Sequence, residues 1–272
     1  GPLGPWSDRP AVDVVAQARA GLQMATGEPG GPPIMPIEAI ADDMGCFAFA
    51  FGLVVALYAR NAMGIGQKVD ASLFGGMIRL QRWPLENYLL TGNPLERADR
   101  RKAPNPLYNQ YQCKDGRWLT VCHIDSQSIW PDFCKALDTP ELEKDPRFED
   151  SSVREENREE LVAILDRVFA TRTYEEWQTA FDETAEFIFS PINYATDLPS
   201  DPQATANRYI DQFDDPILGP VQVVGLPFML SETPWGDQMR APELGQHTEE
   251  VLTEVCGYSS GETAAFKEQG VI

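Results

Sequence analysis

Residues 37–70, IEAIADDMGCFAFAFGLVVALYARNAMGIGQKVD, constrain this chain more than any other stretch. From Cys46 to Ala59 the run is apolar on nearly every face, and Arg60 is the first charge to interrupt it. Such a helix belongs inside a packed core or a membrane, and the pattern predicts a core helix over Cys46–Met63. The apolar run is shorter than the ~20 residues a bilayer span needs and follows two carboxylates, Asp42 and Asp43, so a membrane span is not expected. A strand-like apolar approach, with Ile37, Ala39 and Ile40, delivers these aspartates to the helix start. A carboxylate there is an ordinary cap, accepting backbone N–H groups at the positive end of the helix dipole. The same position, at the mouth of a buried helix, is one where a carboxylate can do chemistry. The local residues alone favour the cap.

Charge narrows the classes of partner. With 22 Lys and Arg against 42 Asp and Glu the formal net charge is −20, which argues against general binding to nucleic acid or to an anionic membrane surface. An anionic small ligand needs only a few converging cations. Cys46, Cys113, Cys122, Cys134 and Cys256 are odd in number and widely spaced, without a CxxC pair, and the histidines are His123 and His247. Neither a disulfide framework nor a metal site is expected, and the reducing cytoplasm is the expected compartment. The opening GPLGP reads as a protease-cleavage scar or a loop.

In chain order, Arg9–Ala25 has the spacing of an amphipathic helix, with Asp13 and Gln17 four residues apart on one side; in isolation these two read as a solvated polar stripe. A Gly/Pro loop follows over 27–36. Gly64 can close the long helix in the left-handed conformation. Residues 68–73 read as a short strand and 74–90 as a helix. The stretch 91–107 reads as a linker, and it holds Arg97, Arg100, Arg101 and Lys102, the densest positive cluster in the chain. These four read as solvated linker charges or, more sharply, as contacts to a phosphate-bearing ligand. A hairpin is expected over 108–124 around Asp115-Gly116, helices over 128–137, 154–170 and 173–184, the last opened by a Thr173/Glu176 capping box, and a strand over 186–192. Beyond these come a short helix from Asp201, a strand–turn–strand over 214–230 and a terminal helix within 241–257.

Six segments, RPAVDVVAQARAG (9–21), TGEPGGPP (26–33), IADDMG with FGLVVALYARNAMGIGQKVDASL (40–73), YQCKDGRWLTV (111–121), SPINYATDLPSDPQ (190–203) and RAPELGQHTEEVL (240–252), together resemble the family III CoA-transferases. That family, also called CaiB/BaiF, includes formyl-CoA transferase, carnitine CoA-transferase and the α-methylacyl-CoA racemases. The resemblance implies an α/β fold of the interlocked-dimer type. Residues 1–100 then belong to the large domain with the nucleophile-bearing helix, 101–200 to a small α+β domain, and 201–272 to a return to the large domain. By the same resemblance, most of the N-terminal Rossmann-like half is expected to have no counterpart here. The expected partners are therefore a second copy in a homodimer or a chain that supplies that half, because an incomplete fold exposes apolar surface.

By resemblance, the nucleophile lies ten residues before the glycine of the FGL element, which places it at Asp42, with Asp43 the alternative. The resemblance implies that Asp42 attacks an acyl-CoA, that an aspartyl-CoA thioester forms, and that CoA passes to a carboxylic acid acceptor. Acyl-CoA is then a substrate and no permanently bound cofactor is implied. Backbone N–H groups at the start of the 46–63 helix would stabilise the developing negative charge, and Asp43 would turn outward or make the cap bond. Asp13 matches the position of a functional glutamate and, with Gln17, is expected to orient substrate. Arg9 and the cluster Arg97, Arg100, Arg101 and Lys102 are the expected contacts to CoA. Where the racemases carry histidine this chain has Val12, a hydrocarbon that cannot relay a proton, so racemisation is disfavoured. The remaining alternative is a non-catalytic structural subunit of a CoA-transferase complex. His247 is expected to make a structural polar contact at a helix start.

Overall fold

The computed structural model describes residues 1–272 except Trp235 and 237–239. The chain divides into two compact units, 1–192 and 193–272.

The first unit opens with helices α1 (Asp13–Arg19) and α2 (Leu22–Ala25), followed by the long α3 (Ile40–Met63), then α4 (Leu73–Leu80) and α5 (Arg82–Thr91). The expected 9–25 helix is thus two shorter ones, broken at Gly21 with φ 86°. The 74–90 helix is likewise divided at Gln81, whose side-chain amide donates to Ala20 O at 3.1 Å and Met77 O at 3.2 Å and so ties the end of α4 to α1. Neither the approach through Ile37 nor residues 68–73 forms a strand; the first leads as a loop into α3, and 68–72 lead as a loop into α4, which takes in Leu73. Gly64 closes α3 as expected, left-handed at φ 73° with its N–H on Arg60 O.

Helix α3 begins six residues earlier than its apolar run, at Ile40. Where α4 crosses its first turns, a Cβ on Gly45 would lie 2.5 Å from Leu73 Cδ2, and one on Gly76 would lie 3.2 Å from Met44 C and Cβ. Glycine at both positions lets the two backbones meet. Ala16, Ala41 and Met77 are buried at this junction, with Ala20, Leu22, Ile40, Met44 and Leu73 packed around them. Beyond the junction α3 is not a core helix in this chain: Ala41, Gly45 and Ala56 are its buried residues, while Phe51 is 73% exposed and Tyr58 75%. At 24 residues α3 is also long and apolar enough to cross a membrane by length and composition, with 17% of its apolar window buried.

A separate, larger core lies in the α+β part of this unit. Strands β1 (Tyr108–Gln112), β2 (Trp118–Cys122) and β3 (Phe189–Ile192) form an antiparallel sheet in that order. Helices α6 (Ser126–Ala136), α7 (Pro140–Glu143), α8 (Ser151–Glu156), α9 (Arg158–Phe169) and α10 (Tyr174–Thr184) connect β2 to β3. Alternate burial along β1 and β2 sends Tyr111, Leu119 and Val121 into an aromatic core with Trp130, Phe133, Phe169, Trp177 and Phe181. Tyr111 stacks on Phe169 with centroids 4.6 Å apart, and the indole N–H of Trp177 donates to Phe169 O at 2.9 Å. The Thr173/Glu176 capping box is present.

The second unit carries helix α11 (Pro202–Ala206), the hairpin β4 (Ile210–Asp215) and β5 (Gly219–Val224), and helices α12 (Thr248–Glu250) and α13 (Ser260–Glu268). The hairpin turn is fixed by Asp215, which accepts the N–H groups of Ile217 and Leu218 at 2.8 Å each, with Gly219 at φ 75°. Helix α13, opened by a Ser259/Glu262 capping box, lies beyond the region where the sequence led us to expect a last helix. Both sheets formed by the described residues are antiparallel.

Candidate functional site

The site is built where α1 meets the start of α3. The chain reaches α3 through Ala39, a non-glycine residue at φ 63° that offers no side-chain cap. The cap comes from 28 residues upstream: Asp13 Oδ1 accepts the N–H of Ala41 at 2.7 Å. Its other oxygen, Oδ2, accepts Gln17 Nε2 at 2.6 Å, and the same amide donates to Ile37 O at 2.9 Å. Burial alone would raise the Asp13 pKa, but donation from the Ala41 backbone, the Gln17 amide and the backbones of Ala39 and Asp42 holds it below the usual carboxylate range. Gln17 is fully buried, so Asp13 and Gln17 are not a solvated stripe; they form a strut under the first turn of α3.

This strut decides what the two aspartates of α3 are free to do. Asp42 and Asp43 both lie in the first turn, both are exposed, and neither makes the cap bond. No hydrogen bond or ion pair engages the Asp42 or Asp43 carboxylate among the described residues. The Asp43 N–H donates to Ala39 O at 2.9 Å. The expectation that backbone N–H groups at the helix start would face a reacting group is therefore altered. The helix starts at Ile40 and not at Cys46, and the Asp13 carboxylate already occupies its positive end.

The basic residues are placed unequally. Arg97 is folded into the loop before α3, bonded to backbone carbonyls. Arg100 forms a two-pronged pair with Asp166 at 2.9 and 3.0 Å beside the Trp118 ring. Arg101 pairs with Asp99 at 2.8 Å, and Lys102 lies 3.5 Å from Glu159. The four residues of the cluster thus do not converge on one point as free cations. Arg9 differs: its guanidinium lies 4.2 Å from the centroid of Trp6, and Arg19 covers the same ring at 3.8 Å. These two border a cavity of about 580 Å³ that also takes in Ala16, Leu73 and Phe74, without Asp42. Arg19 was not singled out in the sequence. Its spacing from Arg9 carries no local signal, and Trp6 is what brings the two together.

His247 sits at the start of α12 with Nδ1 2.8 Å from Glu250 Oε2, a local polar contact. His123 is buried, its Nε2 accepting the Ile188 N–H at 3.2 Å, and burial holds its pKa below the ordinary value. The cysteines are free thiols, and burial pushes Cys113 up to about 11 and Cys134 up to about 12. Among the described residues no group of three or more His, Cys, Asp or Glu is arranged to hold a metal ion.

Comparison with known proteins gives this geometry its context. The profile of CoA-transferase family III matches residues 1–248. An acyl-CoA transferase of Fusarium pseudograminearum is 34% identical over the whole chain, which covers 59% of that relative. The succinyl-CoA–D-citramalate CoA-transferase of Chloroflexus aurantiacus is 30% identical over the whole chain, which covers 67% of it. Among solved structures, a CaiB/BaiF family protein from Brucella suis superposes with a TM-score of 0.80 at 26% identity, over 93% of this chain and 65% of that one. The chain therefore spans roughly three-fifths to two-thirds of the length of these relatives. With a profile match over most of its residues and a shared fold, the chain belongs to CoA-transferase family III.

Proposed function

We propose that this protein is an acyl-CoA:carboxylate CoA-transferase, or the nucleophile-bearing part of one, and that Asp42 is its nucleophile. One observation carries this reading. The capping position at the start of α3 is filled by Asp13, which leaves the Asp42 carboxylate, like that of Asp43, exposed and unengaged at the start of a largely apolar helix, and the family resemblance selects Asp42 of the two. A carboxylate used as a cap would be found on the N–H groups that Asp13 holds.

The reaction needs no proton transfer. The Asp42 carboxylate attacks the thioester carbonyl of the donor, the C–S bond breaks, and CoA leaves as thiolate from a mixed anhydride. The thiolate attacks the aspartyl carbonyl of that anhydride, releases the donor acid as carboxylate and leaves an aspartyl-CoA thioester. The acceptor carboxylate repeats the sequence in reverse and leaves with CoA, restoring Asp42. A carboxylate suits this role because it is ionised at neutral pH without a base, and covalent capture divides one exchange into easier steps. The first-turn N–H groups are held by Asp13, so the donors that stabilise the oxyanion come from outside this turn. Asp13 and Gln17 act by fixing the turn. Arg9 and Arg19, without acidic partners among the described residues, are the cations open to CoA phosphates.

The exposed apolar faces of α3 are assigned to protein and not to lipid: the CaiB/BaiF structure that shares this fold is about half as long again as the part matched here. We infer that a second copy or the remaining third of the family fold covers them. The free thiols fit a reducing compartment such as the cytoplasm. The occupied helix terminus also favours a second reading, a non-catalytic subunit whose α3 is only structural.

The two readings separate in one experiment. The isolated assembly is incubated with an acyl-CoA and then treated with hydroxylamine or borohydride; succinyl-CoA is the first donor to use because it appears in the name of the Chloroflexus relative. Modification of Asp42, and loss of exchange in Asp42→Ala with unchanged circular dichroism, support the enzyme. Equal exchange by wild type and Asp42→Ala rules it out.

A further inference from the structure

Five backbone carbonyls, two from α2 and three from the loop that follows it, converge on the side chain of Arg97, between 65 and 74 residues away in sequence. Nε donates to Met24 O at 2.7 Å, Nη1 to Gly31 O at 2.8 Å and Glu28 O at 3.0 Å, and Nη2 to Pro32 O at 2.9 Å and Gln23 O at 3.4 Å. A guanidinium has five N–H donors in a planar fork and no acceptor, so this cage uses its full capacity. Carbonyl dipoles surround the cation, and no carboxylate pairs with it among the described residues.

The TGEPGGPP segment has the residues this cage requires. Gly27 at φ 98° and Gly30 at φ 75° turn the loop through the left-handed region. A Cβ on Gly31 would sit 3.3 Å from Arg97 Nη1 and 3.2 Å from Glu28 O, and one on Gly27 would meet Ile34 Cδ1 at 2.6 Å. The cage then continues toward the candidate site. The Ile34 N–H donates to Gln23 O at 3.0 Å, a carbonyl that also accepts from Arg97, and Ile37 O is held by Gln17. Two residues on, Ala39 turns the chain into α3.

We propose that Arg97 is a positioning residue for Asp42: it clamps α2 to the loop that follows it, over 23–32, and through residues 34–39 it fixes the first turn of α3. This rests on the assignment of Asp42 as nucleophile. Lysine cannot replace it, since an ammonium offers three donors from a single point and cannot span five carbonyls.

The test uses the isolated assembly with wild type, Arg97→Lys and Arg97→Ala. Hydrogen exchange is read over residues 23–41, with the amides of β1 and β2 as an internal reference. In both variants exchange over 23–41 is expected to rise about tenfold or more while the sheet stays protected. The rate of labelling of Asp42 by acyl-CoA is expected to fall by about ten- to a hundredfold with little change in donor KM, because the nucleophile is misplaced rather than the ligand lost. Millimolar guanidinium is expected to restore protection and labelling in Arg97→Ala and not in Arg97→Lys, whose side chain fills the cage. Unchanged exchange over 23–41 in Arg97→Lys overturns the clamp. Loosened exchange with unchanged labelling overturns the positioning role and leaves Asp42 standing. If wild type is not labelled at Asp42, the nucleophile assignment fails and the positioning role falls with it, while the exchange data still decide whether Arg97 clamps the loop.

Discussion

Asp13 joins two segments that the sequence does not connect. Its carboxylate caps α3 across 28 residues and holds Gln17 at the same time. Replacing it with alanine leaves the Ala41 N–H without its acceptor, and we expect Asp13→Ala to lower stability by about 1 kcal/mol, in the range for lost helix caps, as read by urea unfolding. The pH dependence has a definite sign. A carboxylate whose pKa is lower in the folded protein than in the unfolded chain contributes stability that is present above its ordinary value of about 3.9 and is lost as pH falls through the folded pKa. Wild type is therefore expected to lose stability relative to Asp13→Ala below about pH 4; parallel stability curves of the two proteins through that region would count against the strut. The resemblance that points to Asp42, by its ten-residue offset to Gly52, was legible in the sequence. That Asp13 frees it from capping was not, because a cap supplied from a distant helix leaves no local pattern.

The crossing of α3 and α4 sets how the first turns of α3 are held. Gly76 faces Met44 C, Met44 Cβ and Gly45 N at 3.2 to 3.3 Å from where a Cβ would be, so a side chain there presses on α3 backbone immediately after Asp42 and Asp43. Gly76→Val is expected to destabilise the first unit by about 1–3 kcal/mol and to slow Asp42 labelling, whereas a variant with wild-type melting temperature and labelling would show that the crossing is not tight. The elements that were readable are those with local signals: the Asp115-Gly116 hairpin, the Thr173/Glu176 box and the Gly64 cap. Those misjudged depend on tertiary partners. Residues 68–73 alternate like a strand but pair with no strand among the described residues, so 68–72 run as a loop and Leu73 begins α4. The 74–90 helix gives way at Gln81, whose side chain bonds α1.

At the scale of the molecule, the apolar run of α3 is legible in the sequence, but the exposure of that run in this chain is not. Phe47, Phe51, Val54 and Tyr58 follow helical spacing and are all exposed. Native mass spectrometry is expected to find the chain in a complex with a second copy or a further chain. Phe51→Asp should dissociate it while the separate aromatic core around Phe169 and Trp177 keeps its near-ultraviolet dichroism; a stable lone monomer that behaves as Phe51→Asp does would remove the need for a partner. Asp42 as the nucleophile is tested by peptide mass spectrometry of the assembly after brief reaction with an acyl-CoA and hydroxylamine. The expected result is a hydroxamate on Asp42 that appears only with the acyl-CoA and is absent from Asp43. Undiminished CoA exchange with Asp42 unmodified, or a hydroxamate on Asp43 instead, would contradict it.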